Sequence, residues 1–327
     1  MSQHFLLSAK ARTLSLAQIF TMSESTALRV FREVRWDEGN PICPLCDGTE
    51  HYFIRTRDQW RCKSCNHTFS VTSGTIFANH KLPLKTYLAA IAISANAVKG
   101  LSALQMARDL DVQYKTAFVL AHKIRESLMD KPAAAQLSGE VEMDGAYVNG
   151  HVRPENRAED RKDRRLAENQ NPDKRCILVM RQRGEGGKTL TFVLRGETQA
   201  DIARLAGKFI RKGTAVFADE CQGYNLLHAM FPVYRVNHGV EYVAKDGSNT
   251  NLAESFFSRF RRMQIGQNHR FGLGYLGNYA SEAAYREDNR RMSNGTMFKD
   301  ILGRCAHSKP SRDFCGYWQG NKRLSDC

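Results

Sequence analysis

The sequence predicts a multidomain chain in which a zinc ribbon is followed by an all-α helix-turn-helix and then by a larger α/β unit. Three observations carry this. Two C-x2-C pairs, Cys43/Cys46 and Cys62/Cys65, stand fifteen residues apart. A strong helical period runs over 84–131 and breaks near Gly100 and Asp111. From Gly139 the pattern changes to short β runs and helices, with carboxylates set inside the β runs.

Residues 1–40 read as helix, with a capping Ser23 ahead of the apolar face Ala27, Leu28, Val30, Phe31 and Val34. The turn residues after Trp36 end it, and 41–78 forms the ribbon. Each C-x2-C knuckle turns two thiolates toward one point, so Cys43, Cys46, Cys62 and Cys65 can complete a tetrahedral shell for one structural zinc. A ribbon this small needs the metal to hold together. Residues 80–132 form the helix-turn-helix: Ser102–Leu110, a tight turn at Asp111–Gln113, then Tyr114–Arg125. Leu104, Ala107, Leu110, Val112, Ala117, Phe118 and Ile124 are expected on the inner faces. Tyr114, Lys115, Lys123 and Arg125 are expected on the face of the second helix that meets DNA.

The larger unit is placed at 135–300. Its β runs are Glu140–Val148, Arg175–Arg183, Thr189–Leu194, Thr214–Ala218 and Val233–Val236; its helices are Gln199–Arg211, Thr250–Met263 and Tyr275–Met292. The stretch 151–175, with eight cations and six acids, reads as a solvated insertion between the first two strands. A tail at 301–327 has no assigned role; a second zinc site from Cys305, His307, Cys315 and Cys327 lacks regular spacing.

Within this unit Glu142 and Asp144 share one strand face. Asp219 follows an apolar β run, and Glu254 lies on a helix. A carboxylate among apolar strand residues is costly unless paired or metal-bound. Three such acids suit two divalent ions, Mg or Mn, which prefer oxygen ligands and are suited to phosphoryl transfer. Asn251, one turn before Glu254, is a rival third ligand, and Glu142 a possible supplement. Downstream, Arg259, Arg261, Arg262 and Arg270 alternate with Phe256, Phe257 and Phe260, so the helix can pack on one side and hold phosphates on the other.

The bulk numbers agree. With 48 Lys+Arg against 34 Asp+Glu, the net charge of +14 favours a polyanionic partner. No leader peptide is expected, and Thr86–Val98 is too short to cross a membrane. Nine cysteines, four in tight pairs, indicate metal binding in a reducing cytoplasm.

The order of parts resembles the zinc-ribbon DDE transposases of the ISXO-type insertion sequences. The matching stretches are Arg35–Gly39 leading into Cys43–Cys46, Gln59–Cys62, Phe69–Phe77, Leu101–Arg125, Val141–Asp144, Asn251–Phe256 and Tyr285–Arg291. The resemblance implies an RNase H-like catalytic domain and a transposase that binds element ends, then cleaves and joins DNA. It further implies a homo-oligomer on DNA and a place on the bacterial nucleoid. Asp144 and Asp219 match the two metal-binding aspartates, and Glu254 the third acid, where some members use an asparagine. Arg261 stands where the family has a lysine, and Gly145 where an acid is common. Two other readings are a DNA-binding regulator that no longer cuts and a nuclease that hydrolyses without joining.

Overall fold

The structure, a computed structural model, describes residues 4–79, 81–129, 136–163, 166–236, 249–311 and 313–314. Two compact units emerge: the chain up to Met129 with the segment from Asn289, and the stretch between them up to Asp288.

The first unit opens with helices α1 (Leu16–Thr21) and α2 (Glu24–Arg35). Ser23 starts α2 by accepting the Thr26 amide, which satisfies one of the free N–H groups of a first turn. A three-stranded antiparallel sheet follows: β1 (His51–Ile54), β2 (Gln59–Cys62) and β3 (Thr68–Ser70). Its core is aromatic, with Trp36, Trp60 and Phe69 in mutual contact. Arg35 reaches across to the carbonyls of Ser70, Val71 and Ser73, which explains why an arginine stands at the end of α2. Burial lowers its pKa to about 10.

Helix α3 (Leu84–Asn96) is apolar on nearly every side and is buried accordingly. Helices α4 (Ala103–Leu110) and α5 (Tyr114–Ser127) are joined by a three-residue turn. Asp111 takes the left-handed conformation at φ 51°, and the Val112 amide bonds back to Ala107 O at 3.0 Å, closing α4. Two sequence expectations fail here. Leu104 is exposed and Met106 takes the inner position. Arg125 is 3% exposed and donates to Leu101 O at 2.7 Å, so it fastens the helix pair from within instead of facing outward.

The second unit holds a five-stranded sheet: β4 (Glu140–Val148), β5 (Arg175–Gln182), β6 (Thr189–Leu194), β7 (Ala215–Asp219) and β8 (Val233–Val236). Their order is β6-β5-β4-β7-β8. The first three form an antiparallel meander, and β7 and β8 join parallel to β4. Helix α6 (Gln199–Phe209) covers one face with Tyr224 and Leu227, over Val141, Met143, Val216 and Ala218. Helices α7 (Asn251–Met263) and α8 (Leu276–Asp288) cover the other, over Ala146, Val148, Ile177 and Val179. Phe256, Phe257 and Phe260 of α7 all point inward; burying each contributes about 2 kcal/mol.

The resemblance stretch Tyr285–Arg291 contains structural residues. Glu287 pairs with Arg181 at 2.9 Å and Arg259 at 2.7 Å, while Asp288 accepts both the amide and hydroxyl of Thr189. Arg259 is thus committed to holding α7 to the end of α8. The stretch 151–175 lies between β4 and β5 and is irregular and mostly exposed where described.

From Asn289 the chain belongs to the first unit, and α9 (Asn294–His307) packs on α2, α3 and α5. Asn294 clamps the start of the chain: its Oδ1 accepts from Thr13 and Leu14 amides, and its Nδ2 donates to Leu14 O and Asn96 Oδ1. Cys305 is buried against the Ser127 hydroxyl at 3.1 Å, and burial pushes its thiol up to about 12. His307 instead turns its Nδ1 to Gly303 O. Cys315 and Cys327 lie outside the described residues.

Candidate active site

The four ribbon thiols converge: all four sulfurs lie within 4.8 Å of one another, with Cys43–Cys65 and Cys46–Cys62 both at 3.6 Å. The two knuckles repeat one backbone pattern. Asp47 and Asn66 amides bond to Cys43 O and Cys62 O, while Cys43 and Cys62 amides bond to Gly48 O and His67 O. Asp47 and Asn66 both take positive φ, a conformation these side chains tolerate. Backbone N–H groups of Cys65 and Ser64 aim at the Cys62 sulfur and lower its pKa to about 6. Amide-stabilised thiolates in a closed tetrad are the donor set of a structural zinc, with no position left for a substrate.

In the second unit, the parallel ladder sets Glu142 opposite Phe217 and Met143 opposite Ala218. Continued by one residue, that register puts Asp144 beside Asp219, on strands about 4.8 Å apart. Asp144 Oδ1 accepts the Gly145 amide at 2.8 Å, and Asp219 Oδ1 the Cys221 amide at 3.0 Å. Among the described residues neither bonds a cationic side chain. Burial raises the Asp144 carboxyl to about 7, and the nearby charges of Asp219, Glu197 and Glu254 add to the shift. Among the described residues only the cysteines bring three or more ligand atoms within 4.8 Å, so the acids stand further apart. An all-oxygen set whose two aspartates lack a countercharge fits hard divalent cations.

The structure divides the other sequence candidates. Glu254 is half-buried on α7 and is one of the charges acting on Asp144. Asn251 is exposed at the first position of α7. Arg261 is exposed seven residues after Glu254, on the same side of the helix. Glu142, 1% exposed, is occupied elsewhere: Oε1 receives Arg183 Nε at 2.8 Å, and Oε2 receives the Leu252 and Ala253 amides. Thr250 offers no side-chain cap to α7, and the Glu142 carboxylate takes that place. In the first unit Tyr114 and Lys115 are exposed and Lys123 half-buried on α5.

Sequence reasoning missed Glu197, in the loop between β6 and α6. Tyr224 Oη, fully buried, donates to its Oε1 at 3.0 Å. Burial raises the Glu197 pKa, with Asp219 adding to the shift. Beside this loop an open groove is lined by Tyr147, Lys174 and Arg195, with the Lys174 ammonium 4.6 Å from the Tyr147 ring centre.

A closed four-cysteine ribbon and a sheet carrying adjacent aspartates define a two-part protein, and comparison with known proteins identifies both parts. Residues 22–68 match the transposase zinc-ribbon domain, and residues 136–288 match the ISXO2-like transposase domain. Both matches are to domains of transposases, one the zinc ribbon and the other the larger α/β unit. It is also similar to a protein in the transposable element ISH50 of Halobacterium salinarum, 26% identical over 251 residues that cover 74% of this chain and 83% of the relative. Among the described residues no helix is long and apolar enough to cross a membrane.

Proposed function

We propose that the chain is the transposase of an insertion sequence, binding the element's ends and catalysing metal-dependent DNA cleavage and strand transfer. The observation that carries the reading is the β4–β7 register, which sets Asp144 beside Asp219. The meander followed by two parallel strands, in the order β6-β5-β4-β7-β8, supports an RNase H-like catalytic domain. The pair α4–α5, with Tyr114 and Lys115 exposed and Lys123 half-buried on the second helix, supports a helix-turn-helix that contacts DNA. Homo-oligomers on DNA and a place on the bacterial nucleoid follow from the same reading.

In this reading Asp144 and Asp219 hold the metals from neighbouring strands and Glu254 closes the set from α7. Two Mg or Mn ions, when bound, supply Lewis-acid charge to the reacting phosphate. Glu142 holds the start of α7 so that Glu254 and Arg261 stay on one side. Arg261 and Arg262, both exposed, are placed to hold phosphate oxygens, and Lys174 and Arg195 offer a second cationic wall. The Asp144 carboxyl, raised to about 7 by burial, would be stabilised in its ionised form by a bound divalent cation.

The test is incubation of the full chain with its element's end and a target plasmid, with and without Mg. End cleavage and joining of the 3′ end to the target, both requiring Mg, are expected. Cleavage without joining would make it a nuclease, and binding without cleavage a regulator. For the third ligand, Glu254→Gln should lose far more activity than Asn251→Ala. The reverse result would give the position to the asparagine.

A further inference from the structure

We infer that Glu197 is a fourth carboxylate of the metal site, seated in space that a side chain at position 145 would fill and oriented by Tyr224. The inference rests on the reading of Asp144 and Asp219 as metal ligands. A Cβ built on Gly145 would stand 2.0 Å from Glu197 Oε1 and 2.4 Å from its Cδ, so the carboxylate lies directly against the glycine backbone. A second glycine makes the same accommodation for the main chain: a Cβ on Gly223 would stand 2.7 Å from Glu197 O. The Glu197 amide donates to Tyr147 Oη at 3.3 Å, and Oε1 receives Tyr224 Oη at 3.0 Å. The loop is therefore held at its backbone and at its side chain.

The contact with Gly145 sets the Glu197 carboxylate against β4 one residue along from Asp144. Among the described residues Glu197 has no cationic side chain as partner, and its fixed neighbour is a neutral donor that leaves the negative charge in place. A half-buried anion held near two others is disfavoured unless a cation is to be shared.

The test is Mn binding to the full-length, zinc-loaded, DNA-free protein, read by the EPR signal of free Mn. Glu197→Gln should weaken Mn binding about tenfold or more while zinc content and the far-UV spectrum stay unchanged. Gly145→Ala, which drives a methyl into the carboxylate, should do the same with Glu197 intact, and Tyr224→Phe should weaken binding by a smaller factor. Wild-type affinity in Glu197→Gln, with binding lost in Asp144→Asn, would overturn the inference and leave the aspartate reading standing. No Mn site in the wild type, or one unaffected by Asp144→Asn, would overturn both.

Discussion

The carboxylate of Glu142 receives the Leu252 backbone N–H at 2.7 Å, so a β4 side chain caps the helix that carries Glu254. The other carboxylate oxygen is held by Arg183, which also donates to Asn249 O at 2.6 Å and lies over the Phe217 ring. The strand, the helix and the loop before the helix are thereby fastened at one buried charge. Glu142→Gln removes that charge from the arginine and from the helix N-terminus, and should cost roughly 3 kcal/mol. Denaturant unfolding of the variant measures this. Unchanged stability with lost cleavage would mean that Glu142 acts in the chemistry instead.

Asp144 gives the metal-free protein a pH dependence of defined sign. Its folded pKa, about 7, lies above the ordinary 3.8, so the folded state keeps a proton that the unfolded chain has already released. Its contribution to stability is fully present below the unfolded pKa and falls as pH rises through the window from about 4 to about 7, by at most ~1.4 kcal/mol per pH unit. Asp144→Asn cannot titrate, so without divalent metal it should gain on the wild type as pH rises from about 4 to about 7. Parallel stability curves for the two proteins would contradict the assignment.

Zinc at the ribbon should be structural. Cys43→Ser or Cys62→Ser leaves three thiolates around the metal that holds the small ribbon together. Zinc content measured by metal analysis should fall well below one per chain, with loss of ribbon structure. Full retention of zinc in either variant would count against the closed tetrad.

The two lysines and the arginine of α5 should separate. Lys115→Ala and Lys123→Ala should weaken binding to element ends and flatten its salt dependence by about one counterion each. Arg125→Ala should instead lower stability, because it leaves Leu101 O without its buried donor. Salt titrations of binding, set beside thermal unfolding, distinguish the two effects. A flattened salt slope for Arg125→Ala at unchanged stability would reverse this account.

The zinc knuckles were legible because ligand spacing is local: four cysteines in two C-x2-C pairs allow few alternatives. The strands were legible from apolar runs, and Asp144 and Asp219 from their place within and at the end of such runs. Glu142 was legible as a carboxylate on the face of Asp144, but its role as a helix cap depends on a partner 110 residues away in the chain. Arg125 was misread because one turn of amphipathic helix cannot show that a cation will turn inward toward a carbonyl. Glu197 sits in a loop, where periodicity carries no information. The one hint was indirect, a glycine at 145 inside an otherwise substituted strand, which marks a close approach by something else.

The central claim is that Asp144 and Asp219 together hold the metals for DNA cleavage. The most direct measurement is cleavage of the element's end in Mg by Asp144→Asn and Asp219→Asn, each shown to retain zinc and end binding. Each variant should fall at least a hundredfold below the wild type, since each removes an anionic ligand where charge builds on the phosphoryl oxygens (about 2.7 kcal/mol or more of lost transition-state stabilisation). Cleavage at the wild-type rate by either variant would contradict the account.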